Sequence, residues 1–95
     1  MPATLFIRHP VADYGQWKPV YDALGTLRQQ MGVMGASVHR DAQDPSLLVI
    51  THRFHTLAQA HTFADSEDLK AAMGRAGVSG PPEFWFTDDV EHTSH

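Results

Sequence analysis

Apolar and polar positions alternate in four stretches of this chain, and apolar positions recur at three- and four-residue spacing in two longer ones. The strongest alternation runs from Leu47 to Phe54, where Leu48, Ile50, His52 and Phe54 share one face of a strand. Leu47, Val49, Thr51 and Arg53 share the other, and neither row is a solvent face. Residues 3–9 form a second such strand, with Leu5, Ile7 and His9 on one side and Thr4, Phe6 and Arg8 on the other. Pro10 ends it, since proline cannot donate to a ladder. Residues 34–40 form a third, with Met34, Ala36 and Val38 on the apolar side, and the segment 41–46 is a polar hairpin turn. Residues 83–90, EFWFTDDV, form the last, in which Phe84 and Trp85 face opposite ways.

Between the first two strands, Asp13 offers a helix N-cap with Gln16 three residues on. Pro19 fits best in a first helical turn, so residues 14–18 read as an irregular opening and 19–31 as the main helix. Val20, Leu24, Leu27 and Met31 make its buried stripe, extended toward the start by Trp17 and Tyr21. Gly25 weakens it by about 1 kcal/mol relative to alanine, and Gly32 followed by Val33 suits a left-handed C-cap. Thr56 with Gln59 spells a capping box for a second helix, with Leu57, Ala60, His61 and Ala64 turned inward. Ser66 recaps a continuation that buries Leu69, Ala72, Met73 and Ala76 and stops at Gly77.

The order βαββαβ predicts a ferredoxin-like α+β fold: a four-stranded antiparallel sheet, first and third strands central, both helices on one face. It occupies residues 1–90 as a single domain, with 91–95 a frayed tail. The face carrying Leu5, Ile7, Leu48 and Ile50 belongs under the helices. The opposite face is too apolar for open water, which calls for a second copy of the chain.

Composition narrows the partners. A net charge of −4 with seven scattered Lys and Arg argues against nucleic acid or an anionic membrane surface. No cysteine is present, so thiol chemistry is excluded. With no signal-peptide pattern and no long apolar run, the expectation is a soluble cytoplasmic protein. Seven histidines raise the question of metal. His52 and His55 point to opposite faces of a strand, His61 has no ligand partner four residues away, and no H-E-x-x-H is present. His92 and His95 offer only adventitious binding in the tail, so no metal or other cofactor is expected.

The stretches LFIRHPVADYGQWKPVYD at residues 5–22 and SLLVITHRFHTLAQAHTFADSEDLKAAMGRAGVSGPPEFWF at 46–86, with the hairpin between, resemble the dimeric α+β barrel superfamily. Within it they are similar to small proteins of the antibiotic biosynthesis monooxygenase type. The resemblance implies a homodimer closing a barrel from two sheets, with a ligand cleft between sheet and helices in each subunit. It also brings in cofactor-free oxygenases of aromatic polyketides, polyketide cyclases and haem-degrading oxygenases. The Asn/Trp/His set of the haem-degrading members has no counterpart, because the chain contains no asparagine.

Two functional classes follow. One is a cofactor-independent monooxygenase or cyclase acting on an aromatic, polyketide-like molecule, with His52 and His9 as candidate bases in an apolar cleft. Tyr14, Trp17, Tyr21 and His61 would wall that cleft. The other is a non-catalytic, ligand-binding or structural homodimer, in which each histidine is an ordinary hydrogen-bonded residue near a strand end and the aromatic side chains are core.

Overall fold

The computed structural model describes residues 1–94; His95, the end of the tail, lies outside the described residues. Four strands, β1 (Ala3–Pro10), β2 (Gly35–Arg40), β3 (Leu47–Phe54) and β4 (Glu83–Asp88), form one antiparallel sheet in the order β2-β3-β1-β4. Four helices lie on one face: α1 (Tyr14–Ala23), α2 (Gly25–Gln30), α3 (Leu57–Ala64) and α4 (Glu67–Arg75). Helix α3 covers β1, β3 and β4, and α4 packs beside α1. Among the described residues, no helix is long and apolar enough to cross a membrane.

Period-two alternation positions the site. In the central pair Leu5 lies opposite His52, Ile7 opposite Ile50 and His9 opposite Leu48, so both histidines emerge on the helix side. Every residue of that row of β3, from Leu48 to Phe54, is buried. Two apolar clusters fill the space above it. One joins Leu5, Ile7, Phe54, Ala60, Phe63, Ala64 and Leu69; the other joins Val11, Trp17, Leu48, Ile50 and Ala76. Burying an aliphatic or aromatic side chain fully stabilises by about 1.5–3 kcal/mol.

The helices depart from the expected boundaries. Helix α1 begins at Tyr14 instead of after an irregular turn, because the Asp13 carboxylate accepts the Gly15 N–H at 2.9 Å and holds the first turn. Gln16 does not close a capping box; its amide donates to the Arg75 carbonyl at 3.3 Å, tying α1 to the end of α4. Pro19 therefore sits in the second turn, where its missing N–H leaves one helical bond unmade. The helix breaks at Leu24, ahead of Gly25, and restarts as α2. Its end is as expected: Gly32 takes φ +91°, and the amides of Gly32 and Val33 donate to the carbonyls of Gln29 and Arg28.

The capping box of Thr56 and Gln59 forms, but the inward face of α3 is Ala60, Phe63 and Ala64. Ala60 and Ala64 are thus inward as expected, but Leu57 and His61 are exposed and Phe63 takes their place. Strand β2 also differs. Met34 precedes it and is 41% exposed, and Ala36 is exposed too, because this edge of the sheet extends past the helices. On the opposite face Phe6 lies between Thr51 and Trp85. Phe6 is 36% and Trp85 45% exposed, flanking an open depression with Arg8, Val49, Thr87 and Asp41.

Candidate functional site

Where the two core clusters fail to merge, a cleft remains between the sheet and α1, α2, α3 and α4. Ile7 and Ile50 form its floor; Trp17, Tyr21, Leu24, Phe63, Leu69 and Met73 form much of its walls; His9, His52 and Arg28 are the ionisable groups with His or Arg chemistry along it. No aspartate or glutamate lines it. The free space inside is about 30 Å³, within a depression of about 430 Å³ that includes space open to solvent. The enclosed part holds roughly one or two waters.

Helical spacing places the aromatic wall. Tyr14, Trp17 and Tyr21 fall on one face of α1 and stack in sequence, Tyr14 on Trp17 at 5.8 Å and Trp17 on Tyr21 at 4.7 Å between ring centroids. The row continues across to the sheet: Tyr21 stands 6.2 Å from His52, which lies 4.9 Å from Phe63. At the other end His9 lies 6.1 Å from Trp17. Trp17, Tyr21, His9 and His52 are thus brought together along one cleft. Tyr14 stands behind Trp17 with Arg40 over its ring, and it backs the wall without lining the cleft. His61 is not in the cleft at all. It is exposed on α3 and stacks on Phe86 of β4 at 3.9 Å.

The two histidines differ in their hydrogen bonding: His9 meets the backbone of Pro10 and its own, whereas His52 has no such neighbour among the described residues. His52 is 2% exposed, and neither ring nitrogen has a hydrogen-bond partner among the described residues. His9 is equally buried, with Nδ1 unpaired. Burial, then the positive charge of Arg28, pushes the His52 pKa down to about 4. Burial lowers that of His9 as well, with a partial offset from the backbone of Pro10 and of His9 itself. Both rings are therefore neutral at pH 7, and His52 has an unshared lone pair on one nitrogen whichever tautomer it adopts.

Arg28 is the participant that sequence reasoning missed. The break at Leu24 turns α2 so that its guanidinium folds back over the Tyr21 ring, 4.0 Å from the centroid, while Nη1 donates to the Tyr21 carbonyl at 2.7 Å. Arg28 lies seven residues after Tyr21 and four after Leu24, a spacing that could have put it on the cleft face. As for metal, no group of three or more His, Asp or Glu among the described residues is arranged to hold an ion. His9 and His52 stand opposite Leu48 and Leu5, four positions apart along the central pair.

No family model and no curated protein sequence matches this chain. Solved structures do. A protein from Bordetella bronchiseptica, named after the antibiotic biosynthesis monooxygenases, superposes with a TM-score of 0.80 at 14% identity, over 95% of this chain and 98% of that one. SnoaB of Streptomyces nogalater, a cofactor-independent oxygenase, superposes with a TM-score of 0.79 at 8% identity, over 99% of this chain and 98% of that one. The chain has the fold of the antibiotic biosynthesis monooxygenase-like proteins. A protein of unknown function from Nitrosomonas europaea shares that fold too, with a TM-score of 0.68 at 18% identity over 97% and 92% of the two chains. At these identities the likeness concerns the backbone, and the chemistry must be argued from the cleft itself.

Proposed function

We propose that this protein is a cofactor-independent monooxygenase acting on a planar aromatic, polyketide-like molecule, with His52 as the general base. The observation that carries this reading is His52: buried, neutral, and with both ring nitrogens unpaired beside a wall of stacked aromatic rings. Leaving a buried polar atom unpaired costs about 1–3 kcal/mol, and catalytic use is one reason a fold retains such an atom. Similarity to a cofactor-independent oxygenase supports the same assignment.

The reaction needs a base, a wall and dioxygen. His52 removes a proton from the acidic CH₂ of an anthrone, leaving a delocalised anion held against Trp17, Tyr21 and Phe63. The anion passes one electron to dioxygen, the radical pair combines to a C–O bond, and protonation gives a hydroperoxide. Loss of water converts the original CH₂ to C=O, so one oxygen atom enters the product and the other leaves as water. A base with a pKa near 4 is weak in the free cleft, but a substrate anion formed beside the imidazolium stabilises it and raises that value.

The protein acts as a homodimer in this reading, with the face around Phe6, Val49 and Trp85 covered by a second copy. Oxygen uptake tests the proposal: the parent should consume dioxygen with an anthrone or hydroquinone, and His52→Ala should lower turnover about 10²-fold or more without loss of folding. Trp17→Leu should chiefly weaken substrate binding by removing part of the wall. The small enclosed volume favours a second reading, a non-catalytic dimer whose cleft is filled by its own side chains. Absence of uptake across such a panel, with His52→Ala altering stability alone, selects that second reading.

A further inference from the structure

The charge balance of the cleft is one-sided, although the chain as a whole carries −4. Arg28 is the permanently charged side chain along it, no carboxylate among the described residues lines it, and both histidines are neutral at pH 7. Arg28 has no acidic partner among the described residues; its neighbours are the Tyr21 ring and carbonyl. A guanidinium carries five N–H donors in a plane, so the carbonyl bond leaves others unused. A cation half-sunk beside an apolar cleft and matched only by neutral groups is poised to take a planar anion bidentately.

From this we infer that the cleft selects aromatic carboxylates: the ring lies over Ile7 and Ile50 beside Phe63, the carboxylate pairs with Arg28 at the Tyr21 edge, and the far edge of the ring meets His52. The inference deepens the oxygenase reading by naming its substrate class, and it rests on the cleft being a ligand site, not on turnover there. It fits the geometry in a second way. Arg28 opposes a positive charge on His52, so a carboxylate that pairs with Arg28 lifts that opposition as the substrate seats. Ligand and base are then coupled through one side chain.

The test compares isosteres. The full chain is titrated calorimetrically at pH 7 and low salt with 2-naphthoate and with neutral 2-naphthamide. The acid should bind at least about tenfold more tightly, and the margin should shrink as salt is raised. In Arg28→Gln the ratio should fall to about one, whereas Arg28→Lys should keep part of it, as a point charge without the planar fork. Equal affinity of the two ligands for the parent, or no binding of either, overturns the inference; so does an acid preference that survives in Arg28→Gln. Failure here is distinguishable from failure of the oxygenase reading. Acid preference without oxygen uptake leaves the inference standing and removes the enzyme, while uptake with neutral substrates and no acid preference does the reverse.

Discussion

His52 links function to stability at the scale of a single residue. Its pKa in the folded protein, about 4, lies below the ordinary value of 6.5, so the unfolded chain binds the proton more readily. Above pH 6.5 both states hold the ring neutral and nothing is lost. As pH falls from 6.5 to 4 the unfolded state gains, and the penalty levels off below the folded value. The full loss is roughly 3 kcal/mol, from about 1.4 kcal/mol per pH unit. Urea denaturation at pH 7 and at pH 4 should show His52→Leu losing about that much less stability than the parent over the interval; an equal loss in both would mean that the ring is not buried neutral. The two histidines were legible in the sequence because β alternation has a period of two, which assigns a face without knowledge of what covers it. Phe63 and Arg28 were less so. Helical spacing placed Ala60 and Ala64 inward on α3 as found, but it widened that face toward Leu57 and His61 instead of toward Phe63. Arg28 drew no reading of its own, because its place along the cleft depends on the break at Leu24.

Among the elements, the ends of helices were easier to read than their interruptions. Caps are local: Asp13, Thr56, Ser66 and Gly32 each act through hydrogen bonds or backbone conformations within a few residues. The break between α1 and α2 falls at Leu24, after Pro19 and just ahead of Gly25, inside an apolar stripe that reads as continuous. One pair of caps is coupled in space. A Cβ at Gly32 would stand 2.8 Å from Gln59 Nε2, and Gln59 is the residue that closes the capping box of α3. Gly32→Ala should therefore cost about 2 kcal/mol, from the left-handed backbone and from displacement of that amide. Gln59→Ala on its own should cost about 1 kcal/mol through the lost cap. Together they should cost less than their sum, because the clash is gone; a strictly additive pair in a denaturant cycle would show that the two caps do not communicate.

On the level of the whole molecule, the sheet has one face under helices and one without a partner in the chain. Phe6, Val49 and Thr51 on the open face are what led the sequence to a dimer; the structure sets Trp85 beside Phe6 on that face as well. Val49→Asp should convert a sedimenting dimer to a monomer and lower its stability, since an unpaired charge at a buried interface is costly; a variant as dimeric and as stable as the parent would show that this face is not the contact. The proposed function depends on the other face, and there the base step can be watched apart from oxygen chemistry. Under nitrogen in deuterated buffer at pH 7, a base in the cleft must exchange the acidic methylene protons of an anthrone even though no product can form. The parent should accelerate that exchange, and His52→Ala should lose at least about 10²-fold of the acceleration. Exchange at the buffer rate with the parent, or an equal rate with His52→Ala, would contradict His52 as the base of a cofactor-independent oxygenase.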